Sequence, residues 1–168
     1  MTAIAPEPGA LCSAAKKGDI EGVKKLLAQG ADPNERDIGG TSPLIYALSR
    51  PFEMVELLVT AGANVNAKTR AGIPALKCCI MNSTTNTDSA DMLRLLIDKG
   101  ASLEEDPANM PLLLWTQASG SKQAVEIIKE ALEQKAAQER LSALHDNAMA
   151  RQAALNNRRP KVILKNTP

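Results

Sequence analysis

Aromatic residues are almost absent from this 168-residue chain: Tyr46, Phe52 and Trp115 make up 2% of it. A core must then be built from Leu, Ile, Val, Ala and Met, which suits helices stacked on helices. Histidine occurs once, at His145, and no CxxC is present. A zinc set needs more ligands than that, so no metal and no cofactor is expected. Three cysteines, Cys12, Cys78 and Cys79, are odd in number, and two are adjacent. They form no disulfide framework, which points to a reducing, cytoplasmic setting. No apolar run approaches the ~20 residues that span a bilayer. The N-terminus lacks the basic and then apolar stretch of a signal peptide.

Catalytic sets are equally thin. A Cys–His pair would need His145 to fold onto Cys78 or Cys79. Gly39-Gly40 lacks the lysine and spacing of a phosphate loop. A non-enzyme is expected. Charge is sorted rather than scarce. All 19 acidic residues lie at or before Asp146, so residues 1–146, with 15 basic residues, carry −4 and the last 22 residues carry +5. An acidic body argues against nucleic acid as the partner.

What the chain does have is a repeat. "GADPN" at 30–34 returns as "GANVN" at 62–66 and as "GAS" at 100–102. Each follows an apolar helical face: Ile20, Val23, Leu26 and Leu27; then Met54, Val55, Leu57, Leu58 and Val59; then Met92, Leu93, Leu95, Leu96 and Ile97. Gly30, Gly62 and Gly100 stand where each helix must stop. Asn34 and Asn66 are expected to bond nearby backbone and turn the chain. A shorter helix precedes each unit, with Ser42 as expected N-cap and Pro43 at the first helical position. Its leucine register runs Leu11, Leu44, Leu76, Leu112, a period near ~33 residues with a turn and two helices.

"DIGGTSPLIYAL" followed by a unit like "GDIEGVKKLLAQGADPN" resembles the ankyrin-repeat family. The resemblance covers about residues 10–132 and implies an all-α solenoid of stacked helix-turn-helix units with hairpin tips. The expected divisions are a flexible 1–9, repeats at 10–37, 38–69 and 70–107, and a capping repeat at 108–132. Where the family has a histidine that ties adjacent turns, this chain has Ile45 and Lys77, so those junctions are expected to lean on packing. The polar run 81–89 predicts a loop between the helices of the third unit. Trp115 is expected to fill the core of the cap.

From about 121 to 156 good helix formers dominate and predict one long helix, whose part from 133 to 157 extends beyond the array. Ala137, Leu141, Leu144, Ala148 and Leu155 form a thin apolar stripe. Three uses stay open for it: packing within the chain, pairing with a second copy, or meeting a partner. Residues 158–168 are basic; "KVILK" within them is read as a disordered end, with a strand donated to a partner's sheet as the alternative.

The family resemblance implies protein binding on the concave side, lined by hairpin tips and first helices. Carried onto this chain, it nominates Arg36, Asp37, Ile38, Thr41, Arg70 and Ile73 at the tips, and Tyr46, Arg50, Lys77 and Met81 on the first helices. Tyr46 and Arg50 are the expected anchors. The expected function is a non-catalytic adaptor for a protein partner, as regulator, inhibitor or effector. The alternative is an assembly protein that dimerises, or inserts into a larger complex, through the long helix.

Overall fold

The computed structural model describes residues 7–82, 88–103 and 111–157, with side chains to 154. Among them lie eight helices: α1 (Ala10–Lys17), α2 (Ile20–Ala28), α3 (Pro43–Ala47), α4 (Phe52–Thr60), α5 (Ala75–Asn82), α6 (Ser89–Asp98), α7 (Leu112–Ala118) and α8 (Lys122–Asn157). The chain divides into two compact units, residues 1–130 and 131–168. No described helix is long and apolar enough to cross a membrane.

In the first unit, short first helices (α1, α3, α5, α7) alternate with second helices (α2, α4, α6 and the start of α8). Neighbours of each kind pack on one another, α1 on α3 and α3 on α5, α2 on α4 and α4 on α6. Their shared seam is aliphatic: Leu11, Leu44, Leu48, Met54, Leu58, Ile80, Met92, Leu93, Leu96 and Ile128 are fully buried. Each such side chain stabilises the fold by about 1.5–3 kcal/mol. Of the expected faces, Val23, Met54, Val55, Leu58, Val59, Met92, Leu93 and Leu96 are buried, while Ile20, Leu26, Leu27, Leu57, Leu95 and Ile97 lie half-exposed at the margins.

The glycine stops behave as their sequence implies. Gly30, Gly62 and Gly100 have φ of 84°, 93° and 85°. The residue after each reaches back to close the helix: Ala31 N donates to Leu26 O, Ala63 N to Leu58 O and Ala101 N to Leu96 O, at 2.8–3.0 Å. This is the six-to-one closure that a left-handed residue permits.

Beyond those stops the structure corrects three expectations. Local turning is done by Asp32 and Asn64, whose Oδ1 atoms accept from Asn34 N and Asn66 N at 2.9 Å. The Asn34 and Asn66 side chains instead reach the next repeat. Asn34 Nδ2 donates to Gly62 O at 3.1 Å and its Oδ1 accepts from Asn64 N at 2.7 Å. Asn66 does the same to Gly100 O and Ser102 N, at 3.2 and 2.7 Å. The junctions therefore do not rest on packing alone. Second, Ser42 caps α3 by position only; its hydroxyl makes no cap bond and is buried without a partner. Third, α5 runs through Met81 and Asn82, and α6 begins at Ser89, so the expected loop is shorter than 81–89; 83–87 lie outside the described residues. So do residues 1–6, 104–110 and the tail 158–168.

These bonds predict opposite outcomes for two polar residues. Asn66→Ala leaves a carbonyl and an N–H without their protein partner and should cost about 1–2 kcal/mol in urea unfolding followed by circular dichroism. Ser42→Ala removes a hydroxyl that bonds nothing and should be neutral or stabilising. The reverse order of midpoints would contradict the assigned bonding.

Candidate functional site

The expected site residues all fall in the first unit, on hairpin tips and first helices, except Arg50, which follows α3 in the turn before α4. Two fingers are built alike. In the first, Asp37 N donates to Thr41 O at 3.1 Å while Asp37 Oδ1 accepts from Thr41 N at 2.9 Å. In the second, Thr69 N donates to Ile73 O at 2.9 Å and Thr69 Oγ1 accepts from Ile73 N at 3.1 Å. Gly40 and Gly72 turn the tips with φ of 77° and 79°. Ile38 and Arg70 stand exposed at the ends, and Arg36 donates across its own finger to Gly40 O at 2.8 Å.

The two expected anchors are partly committed to the fold. Tyr46 is half-buried and its hydroxyl donates to Asp37 Oδ2 at 2.6 Å. That bond holds the Asp37 carboxyl below its usual range and raises the Tyr46 phenol. Arg50 Nη2 donates to Lys16 O, capping the C-terminal end of α1. Asn82, 32 positions on, repeats the device by donating to Leu48 O at 3.2 Å, closing the end of α3. Each reaches back 34 residues. Arg50 thus belongs to the stack, because a helix end inside an array needs its last carbonyls satisfied.

Other polar side chains do similar work at a distance. Glu35 accepts from Gly9 N and Cys12 N at 3.1 and 2.9 Å, capping α1 where Gly9 has no side chain to offer. Asp88 accepts from Phe52 N at 3.3 Å at the start of α4. Residues separated by 26 or 36 positions leave no local sequence pattern, so neither pair was foreseen.

The thiols are set for packing. Burial pushes Cys79 up to about 12, and burial with Glu35 and Asp37 nearby does the same to Cys12. Burial also raises Cys78. A protonated thiol is a poor nucleophile. Among the described residues no group of three His, Cys, Asp or Glu side chains is placed to hold a metal ion.

Trp115 departs from its expected role. Its register partners in the second and third repeats are Ala47 and Cys79, both fully buried. An indole is too large for such a slot in a close-packed interior. It lies half-exposed on α7 with Lys77 Nζ 5.2 Å from its ring centroid. Lys16 Nζ stands over Tyr46 in the same way, at 5.6 Å. Beside Trp115 opens a cleft of about 320 Å³, lined by Met81, Trp115, Ala118 and Ser119. Ala118 occupies the register of Arg50 and Asn82 but has no group to donate.

Fingers, first helices and repeat-spanning clips define a scaffold that displays side chains from a stack of small units. A family model for ankyrin repeats, in three copies, matches residues 11–106. The chain belongs to the ankyrin-repeat family. Over 94 residues, 55% of the chain, it is 39% identical to the B-cell lymphoma 3 protein homolog of Mus musculus, covering 20% of that protein. Over 89 residues, 49% of the chain, it is 36% identical to the ankyrin repeat domain-containing protein M-T5 of Myxoma virus, covering 18% of it. Over 63 residues, 37% of the chain, it is 44% identical to the potassium channel SKOR of Arabidopsis thaliana, covering 8%. The chain thus spans a fifth or less of the length of these relatives.

The Tyr46–Asp37 bond carries a signed pH dependence. Asp37 is held below its ordinary 3.8. Its contribution is therefore present above that pH and is lost as pH falls through the lowered folded value. Tyr46 is raised above 10.0, so its contribution is present below 10 and is lost as pH rises through the raised value. Tyr46→Phe should flatten both limbs of stability against pH in urea titrations; unchanged limbs would dissociate the bond from folding.

Proposed function

We propose that this chain is a non-catalytic adaptor module that binds a protein partner through the face made by its fingers and first helices. Ankyrin repeats generally mediate protein–protein interaction. One observation favours this face in particular: Ile38, Met81 and Leu114, apolar and well exposed, all belong to it. Exposed apolar side chains on a rigid frame bind with little loss of ordering entropy. Of the residues expected to bind, Arg36, Ile38, Arg70, Lys77 and Met81 are the more available. Asp37, Thr41, Tyr46, Arg50 and Ile73 shape the frame that presents them. A cytoplasmic setting suits three free thiols, two of them buried.

The variant Ile38→Ser/Arg70→Ala/Lys77→Ala tests this without touching a clip. Capture of the native partner should weaken by about tenfold or more while far-UV dichroism is unchanged. Undiminished capture would remove the face from the mechanism.

A second reading rests on α8. Leu141, Leu144 and Met149 are 67%, 66% and 61% exposed. An apolar stripe on a long helix suits pairing with a second copy or insertion into an assembly. Light scattering should then give a dimer for the full chain and a monomer for residues 1–136; a monomeric full chain rules out self-pairing.

A further inference from the structure

We propose that the partner segment is acidic, and that it seats one apolar side chain in the Trp115 cleft with carboxylates over Lys77 and over the Lys16-Lys17 end of α1. This rests on the protein-binding reading above and adds the chemistry of what is bound.

The argument begins with where charge is already spent. On the second helices, opposite charges meet each other: Lys24 pairs with Glu21 and Glu53 at 3.1 and 3.0 Å, Arg94 with Glu130 at 3.9 Å, and Lys129 with Glu126 at 3.8 Å. On the first-helix and finger side two carboxylates, Glu35 and Asp37, are turned inward. Glu35 chelates the start of α1, and Asp37 is held by Tyr46 and Thr41. The cations there are left outward. Lys16, Lys17, Arg36 and Arg70 are exposed, Lys77 is half-exposed, and none forms an ion pair among the described residues. Among the described residues, this face thus presents a cationic strip, in a chain whose residues 1–146 sum to −4.

Two of those cations are placed rather than loose. Lys16 rests over Tyr46 and Lys77 over Trp115, each reaching from one first helix to an aromatic ring on the next. A ring face attracts an ammonium and leaves its outer hydrogens free for a carboxylate. Next to Lys77 lies the cleft, near the small end of the about 300–1,000 Å³ that ligand pockets occupy. It suits one side chain. Its walls are Met81, the Trp115 ring and Ala118, with Ser119 as the polar member.

Spacing then sets the segment. Packed helices lie about 8–10 Å apart, so the α1 lysines stand two steps, roughly 16–20 Å, from Lys77 on α5. An extended chain covers that in about five or six residues. The fitting ligand is an apolar anchor with an adjacent acid and a second acidic pair about five or six residues away. Solvent-exposed pairs contribute little each, so the anchor sets affinity while charge sets sign and salt dependence.

Trp115 is the single tryptophan, so its emission reports directly on the cleft. The full chain is titrated with synthetic peptides carrying a Phe anchor and Asp/Glu at gaps of about four to eight residues. Matched peptides carry Lys in place of the acids or Ser in place of Phe, and a single-stranded oligonucleotide serves as a second polyanion. Expected are a saturable change in Trp115 emission with an acidic peptide of the right gap, and none with the Lys or Ser versions. Binding should weaken about tenfold for Lys77→Glu and for Lys16→Glu/Lys17→Glu, and again between about 50 and 500 mM salt. Failure of the whole acidic series to move the emission overturns the proposal. So does equal binding of the Lys peptides, or tighter binding of the oligonucleotide at the same lysines. If native capture still depends on Ile38, Arg70 and Lys77 while acidic peptides do not bind, the face reading stands and this one falls. If acidic peptides bind but capture ignores the face, the native partner docks elsewhere and both readings fall.

Discussion

The side-chain amide of Asn34 spans two repeats, and much else follows from that reach. A helix pair of this size leaves eight backbone groups at its ends without intrahelical partners on each helix. It cannot satisfy them from its own few residues. Here the neighbour supplies what is missing. Asn34 and Asn66 offer both a donor and an acceptor to the next repeat's turn. Arg50 and Asn82 close the previous first helix, Glu35 opens the first helix α1 and Asp88 the second helix α4. An amide suits the Asn positions because it alone among short side chains presents a donor and an acceptor in one plane. Each repeat is completed by its neighbours, so stability grows with stacking rather than residing in any one unit.

That exchange also sorts the surface. Side chains spent on repeat junctions are unavailable for binding, and they include several of the polar groups that would otherwise make the finger side neutral. Glu35 and Asp37 turn inward and their charges are absorbed by backbone N–H groups and the Tyr46 hydroxyl. The lysines over Tyr46 and Trp115 keep their charge outward. The cationic strip is therefore a by-product of how the fold satisfies its own backbone, and a partner would meet what the junctions leave over.

The repeat was legible because its signals are local. Glycine stops, apolar faces of period 3.6 and the Ser-Pro helix start lie within a few residues of one another, and all three Gly-Ala stops close as those letters imply. The proposed binding face comes from family register, and the residues nominated for it belong to one compact unit. What stayed illegible is long-range. Arg50 reads as an ideal surface anchor until its partner, the Lys16 carbonyl, is seen 34 residues back. Asn34 reads as a turn residue because the letters around it are turn letters; the turn itself belongs to Asp32. Trp115 was misplaced for a different reason. Register put it in a buried slot, but register carries no volume, and the slot that suits Ala47 and Cys79 cannot take an indole.

The position of that misfit is informative. The residue types that make both inter-repeat devices are not repeated at the next register positions. After Asn34 and Asn66 the next residue in register is Glu104, which has no amide donor; after Arg50 and Asn82 it is Ala118, which has no polar group. The step between leucines also widens, from 32 residues between Leu44 and Leu76 to 36 between Leu76 and Leu112. At this junction, then, α7 takes neither the clip nor the spacing of the earlier repeats. The cleft beside Met81 opens at this junction, with the half-exposed Trp115 ring in its lining. A binding cavity in a stacked array needs such an interruption, since a junction completed like its neighbours has no room for a foreign side chain. The proposed anchor site thus falls where the sequence departs from its own repeat.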